Sequence, residues 1–494
     1  DALLIHDEAH LEPAFQKLLD AVKDEQDRCG DFHHFHVMPL TATPRGSKEP
    51  FELTLEEKSP REPLPDGVPE PLRLVWRRLQ AKKSLVFHSP KDEKEKVADR
   101  IGKLARKYAE ENSGRAILVF VNSLEDHAIV CKALAGKNVQ VLTGTIRGME
   151  RDRMADPRKE TGCPIFARFL KPPKPDAREE EKWKVKPQSG TVFLVCTSAG
   201  EVGIDISADH MVSDLSTFES MAQRLGRVNR FGDGDARIDV VHPISFGKVD
   251  KKTDERKVDE IDKRRQKTLD LLRNLPLLSD DAGGNGQYDA SPKALTDLRQ
   301  RTDLPCKIED AFAPEPTPLP VTDILFDAWA MTTIRQKLPG RPPVQPYLHG
   351  LEDEKTAETY VAWRQEVWEC HREFADEEDR RQFQEFAGGL LDSYPLKPHE
   401  LLRDSTFRKN SGIRDKLIKL GKAHGMLPVW IQEPDGNVTV AQLSEIADLP
   451  LAGRTVVLPP QAGGLMISDG CSKGLFDGVT EYQIDSQEFY DVGD

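Results

Sequence analysis

The sequence predicts an α/β fold built on a parallel sheet. Three observations carry this. Residues 84–88, 116–121, 139–142, 191–196 and 210–215 are short runs, largely apolar on both faces, as strands between two helix layers should be. Stretches with helical apolar spacing separate them, which is the βαβ pattern of a parallel sheet. The runs then stop in small or polar residues, and the carboxyl ends of strands are where open α/β sheets bind ligands.

In chain order, residues 1–6 form an apolar strand, taken as buried, that leads into Asp7-Glu8-Ala9-His10. A helix over 13–27 and a strand over 35–40 follow, and the strand ends in Thr41-Ala42-Thr43. A proline- and acid-rich linker, 59–70, closes a first lobe that is represented only by its C-terminal part, 1–75. A second, complete lobe spans 76–250. Its first helix, 91–111, places Val97, Ile101, Leu104, Ala105 and Tyr108 at helical spacing on one side. Its strand ends set Asn122, Ser123, Thr143, Gly144, Arg147, Thr197 and Ser198 along one sheet edge. Hydroxyls and amides there suit a nucleic-acid backbone read without base contacts, and they serve equally as helix caps. Residues 171–190 are proline-rich and charged, and read as a flexible excursion.

Ser216-Thr217-Phe218-Glu219 is a capping box that starts a helix. Gln223, Arg227 and Arg230 follow at i, i+4 and i+7 and so share one helical face. Residues 251–275 read as a charged, solvated helix within a mainly helical extension, 251–390. That extension has a Gly-rich break at 280–287 and holds Trp329, Trp363 and Trp368, which are read as core. An α+β region, 391–494, closes the chain. It has a helix over 398–422, strands over 429–432 and 438–443 around the turn 433–437, and a third strand over 455–458.

Two groups of residues carry chemistry. A carboxylate at the end of a strand is the usual seat of the magnesium that accompanies a nucleoside triphosphate, so Asp7 is assigned the metal and Glu8 the attacking water. Arg227 and Arg230 can grip phosphate oxygens with planar, permanently charged forks, and Gln223 joins them. An arginine pair alone is more often a solvated face with ordinary salt bridges. The acidic pair two hundred positions earlier turns the reading toward a triphosphate.

Asp7 to His10, Thr41-Ala42-Thr43, 197–205 and 223–230 resemble, in order, motifs II, III, V and VI of a superfamily-two helicase of the DEAH-box type. The forms GEVGIDI (200–206) and QRLGRVNRFG (223–232) are similar to the CRISPR-associated helicase–nuclease of type I systems. LTGTIRGMERDR (142–153), YLHG (347–350), VAWR (361–364) and RTVVLPPQAGGL (454–465) resemble its subtype I-U or I-G. The resemblance implies a RecA-like lobe, ATP and Mg²⁺ as cofactors, and an antiviral helicase that translocates along single-stranded DNA. Its implied partner is an RNA-guided type I surveillance complex. Glu8, Arg227 and Arg230 would be catalytic; Asp7, Gly203, Asp205 and Gln223 would face the nucleotide; Asp205 would orient the ribose or the arginines. Thr41, Thr43, Asn122, Ser123, Thr143, Gly144, Arg147, Thr197 and Ser198 would touch the strand.

The sequence departs from that pattern in one respect. No G-x-x-x-x-G-K-[ST] loop occurs in it, so nothing in this chain cradles the β- and γ-phosphates. The expectation is a fragment that begins at motif II and is inactive alone. The family's nuclease uses tandem His-Asp ligands, whereas His6-Asp7, the one such pair, belongs to the first strand. A nuclease domain would then follow the point where the chain stops. Net charge is −14, so a nucleic-acid track must be local. Seven cysteines without a C-x-x-C pair suggest reduced thiols and a cytoplasmic setting. The apolar runs are too short for a membrane span, and a monomer is expected. The competing readings are a repair or RNA helicase of the same superfamily and a non-catalytic nucleic-acid clamp.

Overall fold

In a computed structural model of the chain, the described residues are 1–475 except 31–32, 42–50, 62–66, 112–113, 250–255, 281–285, 335–338, 352–356, 409–411 and 469–470. They fall into two compact units: residues 1–141, 168–172 and 187–352 form one, and 142–167, 173–186 and 353–494 the other.

The first unit opens with β1 (Ala2–His6), α1 (Pro13–Cys29) and β2 (Phe35–Pro39). β1 and β2 pair in parallel as a two-stranded sheet. The expectation of a buried first strand is corrected here. Leu3 is 60% and Ile5 56% exposed, because within the described residues no further strand extends this sheet.

Then follow α2 (Glu70–Leu79), β3 (Lys82–His88), α3 (Val97–Glu111), β4 (Ala116–Phe120), α4 (Leu124–Ala133), β5 (Asn138–Leu142), β6 (Val192–Cys196), β7 (His210–Asp214), α5 (Phe218–Gly226) and β8 (Asp235–Val241). β3, β8, β7, β4 and β6 run parallel. Every residue of β4 and β6 is buried, which is why both read as continuous apolar runs. Ile101, Leu104, Ala105 and Tyr108 of α3 pack on Ile117, Val119, Phe193 and Val195. The expected buried side of that helix is therefore its core side.

The sheet does not end near residue 250. Beyond α6 (Glu260–Leu272), β9 (Leu277–Asp280) and β10 (Gly286–Asp289) form an antiparallel pair, and β10 adds to β3. The order is β9-β10-β3-β8-β7-β4-β6-β5, and α7 (Pro292–Arg299) follows it. The helix expected over 251–275 starts only at Glu260, capped by Asp259, whose carboxylate accepts the Asp262 N–H. Residues 256–257 before it are extended.

The second unit holds β11 (Glu358–Trp363), α8 (Glu377–Ser393), β12 (Leu402–Ser405), α9 (Ile413–His424), β13 (Pro428–Gln432), β14 (Val438–Gln442) and β15 (Thr455–Leu458), with a five-stranded sheet of order β12-β11-β15-β13-β14. Two expectations are corrected here. The stretch 321–390 contains an interior strand, β11, with Trp363 fully buried and its indole N–H donated to the Gly463 carbonyl at 2.9 Å. The helix expected over 398–422 is a short turn, then β12, then α9. Glu400 draws the turn inward by accepting both Arg364 Nε and Nη2, at 2.7 and 3.0 Å. The hairpin turn at 433–437 forms as expected, with Gly436 at φ 88°. The middle of the 171–190 excursion, 173–186, belongs to this unit, where the Lys184 and Val185 amides donate to the Pro157 carbonyl. Of the other tryptophans, Trp329 is half-buried and Trp368 is 44% exposed. Among the described residues no helix is long and apolar enough to cross a membrane.

Candidate active site

The acidic motif lies at the carboxyl end of β1. Its backbone turns sharply, with Glu8 in the left-handed region at φ 52°, a conformation a non-glycine residue adopts at a cost. The Glu8 N–H donates to Asp7 Oδ1 at 3.0 Å. Asp7 is exposed and Glu8 partly so. The His10 side chain is 3% exposed, with Nδ1 3.5 Å from Glu8 Oε2 and 3.1 Å from Thr41 Oγ1. Nε2 of the same ring is 3.3 Å from the carboxamide nitrogen of Gln223 on α5. His10 thus joins the strand-end acids, the segment after β2 and the helix that leads into the arginines. Thr43 lies outside the described residues.

The basic side is built differently from the sequence expectation. Gln223, Arg227 and Arg230 do not share a helical face, because α5 ends at Gly226. There the backbone leaves the helix to pair with the loop after β6: the Ala208 N–H donates to the Arg227 carbonyl and the Asn229 N–H to the Ala208 carbonyl, both at 2.8 Å. The start of α5 also departs from the expected capping box. Thr217 makes no side-chain cap, and Glu219 instead accepts the Ala313 N–H.

Arg227 is buried and donates Nε and Nη2 to the Glu201 carbonyl at 3.0 and 2.7 Å. Burial pulls its pKa below the ordinary guanidinium value and the like charge of Arg230 adds to this, while the carboxylates of Glu8 and Asp205 oppose it. Arg230 is partly exposed and pairs with Asp205 at 3.0 Å. Gly203 in the same loop is exposed at φ 79°.

Sequence reasoning missed the scaffold that holds these groups. Arg224, 1% exposed, donates Nε to Glu201 Oε1 at 2.8 Å and Nη1 to Asp214 Oδ1 at 2.7 Å, and lies over the Phe120 ring. The Glu201 side chain is thus tied to Arg224 while its backbone holds Arg227. The signal for Arg224 was available: it sits on the apolar stripe with Met221 and Leu225, where a charge must be buried and paired.

The residues expected to touch a nucleic acid divide. Thr197 is partly exposed, and Asn122 and Ser198 are exposed, just beyond the ends of β6 and β4. Ser123 is a helix cap, accepting the Asp126 N–H at 3.0 Å. Thr143, Gly144 and Arg147 belong to the second unit. Thr143 is buried against Thr145, and Gly144 is exposed. Arg147 is 2% exposed, forked onto Glu150 and lying over the Trp363 ring. Its charge is spent in the core, and the expectation of a backbone contact is corrected for it.

Among the described residues no cluster of three or more His, Cys, Asp or Glu could enclose a metal. A lone exposed strand-end carboxylate still fits Mg²⁺, which keeps most of its waters and takes one or two carboxylates plus substrate phosphates. Asp7 is such a carboxylate.

The first unit thus holds a large, mostly parallel sheet whose strand-end loops anchor the arginines, and a separate two-stranded parallel sheet that ends in the acidic pair. Residues 113–233 match the family model described as CRISPR-associated nuclease/helicase Cas3, C-terminal. A curated relative, the CRISPR-associated nuclease/helicase Cas3 of Methanothermobacter thermautotrophicus, is 26% identical over 245 residues, covering 50% of this chain and 22% of the relative. Among solved structures, T. fusca Cas3 with AMPPNP is 14% identical, covers 96% of this chain and 54% of that one, and has a TM-score of 0.41. A variant of S. cerevisiae Dbp5 bound to RNA and ADP BeF3 is 20% identical, covers 49% of this chain and 53% of that one, and has a TM-score of 0.29. Residues 113–233 are similar to the Cas3 C-terminal family, and the chain spans about half the length, or less, of these relatives.

Proposed function

We propose that this chain is part of the motor of a type I CRISPR helicase, an ATP-dependent translocase on single-stranded DNA that opens target DNA for degradation. The observation that supports the reading is His10, whose ring reaches Glu8 Oε2, Thr41 Oγ1 and the carboxamide of Gln223 on the helix that leads into the arginines. Magnesium–ATP, when bound, would supply the phosphoryl group to be transferred and a cation that offsets its charge. Asp7 would hold that cation. Glu8 accepts a proton from the attacking water, with His10 fixing its position. Arg230 and Arg227 face the charge that develops on the phosphoryl oxygens, a role worth about 10³ to 10⁵ in rate. Thr41, Thr43, Asn122, Thr197 and Ser198 are proposed contacts to the strand's backbone. Opening and closing of the parent's two lobes during turnover then moves the strand.

Because the sequence contains no phosphate loop, we propose that a longer parent supplies it and that the 494 residues are inactive alone. The parent's RNA-guided surveillance complex is the proposed partner. The deciding experiment measures DNA-stimulated ATP hydrolysis by the full-length parent and by this chain. Turnover by the parent and none by the chain is expected; a parent without DNA-stimulated turnover rejects the motor. A parent that binds nucleic acid without turnover would be the clamp. One stimulated by RNA or by undirected duplex DNA, and indifferent to the surveillance complex, would be a helicase of RNA processing or repair.

A further inference from the structure

Lys83, which no motif marks, and Asn229, which lies within the 223–230 motif, hold the segment bearing the arginines. Lys83, on β3, is 3% exposed and donates Nζ to the Leu225 carbonyl in the last turn of α5 at 2.8 Å. A helix's terminal carbonyls lack partners within the helix and sit at its negative end, so a cation there fixes where the helix stops. Asn229, 8% exposed, adopts the left-handed region at φ 41°. Its carboxamide nitrogen donates to the Lys82 carbonyl at 3.1 Å and to the Gly234 carbonyl, and its oxygen accepts the Gly234 N–H at 3.2 Å. Arg227 lies between these two anchors and Arg230 directly follows the second, where its own N–H is donated to Ser207 Oγ at 3.1 Å.

We propose that Lys83 and Asn229 are positioning residues for nucleotide hydrolysis: from the start of β3 they fix the 225–234 segment so that both guanidiniums meet the phosphate in one geometry. This rests on the reading of Arg227 and Arg230 as the cationic side of a triphosphate site. The physical ground is that a charged donor stabilises a transition state only when it is held in place beforehand. Burying an ammonium is costly, and an apolar side chain would fill the same space more cheaply. Burial, aided by the nearby Arg230 charge and opposed by Asp289, pulls Lys83 down to about 7. What the amine gives in return is a hydrogen bond to the helix that aims the arginines.

The test uses Lys83→Met, Lys83→Arg and Asn229→Gly; the last keeps the left-handed backbone and removes the carboxamide. In the full-length parent, Lys83→Met and Asn229→Gly are expected to lower DNA-stimulated kcat about 10²-fold, the scale of a misplacement of about 1 Å. KM for ATP should stay within about twofold, as expected when only a transition-state interaction is lost. Lys83→Arg, which keeps an N–H donor, should recover most of the loss. In the 494-residue chain, amide exchange over 226–231 should quicken in both weakening variants and stay unchanged in α3.

A kcat within about twofold of wild type, or a rise in KM at constant kcat, overturns the positioning role. Unchanged exchange overturns the clamp itself. A wild-type parent that hydrolyses no ATP removes the reading of the arginines, and the exchange comparison still decides whether these residues hold the segment. Should Lys83→Met fail to fold, Asn229→Gly decides.

Discussion

Nε2 of His10 lies 3.3 Å from the carboxamide nitrogen of Gln223, a contact that spans 213 positions of the chain. Nδ1 of the same ring faces Thr41 Oγ1 at 3.1 Å and Glu8 Oε2 at 3.5 Å. One imidazole therefore connects the proposed base to the helix that leads into the arginines. In the parent, Gln223→Ala is expected to lower DNA-stimulated kcat about tenfold with DNA binding unchanged, because misorienting the base withdraws part of the ~10²- to 10⁴-fold that proton transfer supplies. Steady-state hydrolysis checks it, and turnover within about twofold of wild type rejects the coupling.

Arg230 is the more exposed of the two site arginines and pairs with a carboxylate, Asp205, that is itself 71% exposed. A screened pair of this kind adds little stability, which leaves the guanidinium available to a phosphate. Arg230→Ala in the parent should reduce DNA-stimulated hydrolysis by about 10³-fold or more and leave DNA binding intact. Unchanged turnover would remove the finger role.

Arg224 should behave in the opposite way, as a residue of stability. It is 1% exposed between Glu201 and Asp214. Removing one member of a buried ion pair leaves an uncompensated charge and costs about 3–5 kcal/mol. Arg224→Ala is expected to lose about that much in urea unfolding of the 494-residue chain, and a loss below about 1 kcal/mol contradicts the buried network.

His127 gives a pH dependence with a definite sign. Burial on α4 lowers its pKa from 6.5 to about 4. Between those values the unfolded chain binds a proton that the folded chain refuses. Its contribution to stability is therefore full above about 6.5 and is lost as pH falls toward about 4. The wild-type chain should lose more stability than His127→Gln across that window, as read by denaturation at stepped pH. Parallel curves exclude the effect.

The sheet was legible in the sequence because β4 and β6 are buried on both faces, which leaves an uninterrupted apolar run. The acids and arginines were legible because each is a charged residue beside a strand end or near a short helix. The helix end was not. Gly226 and Asn229 permit it, but the backbone pairing of Ala208 with Arg227 and Asn229 imposes it, and periodicity cannot see a long-range pairing. β11 was hidden for a related reason: Val361, Ala362 and Trp363 are all fully buried, so no alternation marks a strand. Glu201 escaped because it holds Arg227 through a backbone carbonyl, which side-chain identity does not report. Lys83 escaped because a lysine near a strand's start ordinarily reads as a solvated flank.

The ribbon of β1 and β2 has a practical side. Leu3, Ile5 and Met38 stand 60%, 56% and 47% exposed on a sheet that has two strands among the described residues. Open strand edges bearing greasy side chains invite other chains to stack on them. Whoever purifies these 494 residues should expect colloidal behaviour to govern the preparation, with self-association rising with concentration and easing when polar residues replace Leu3 and Ile5.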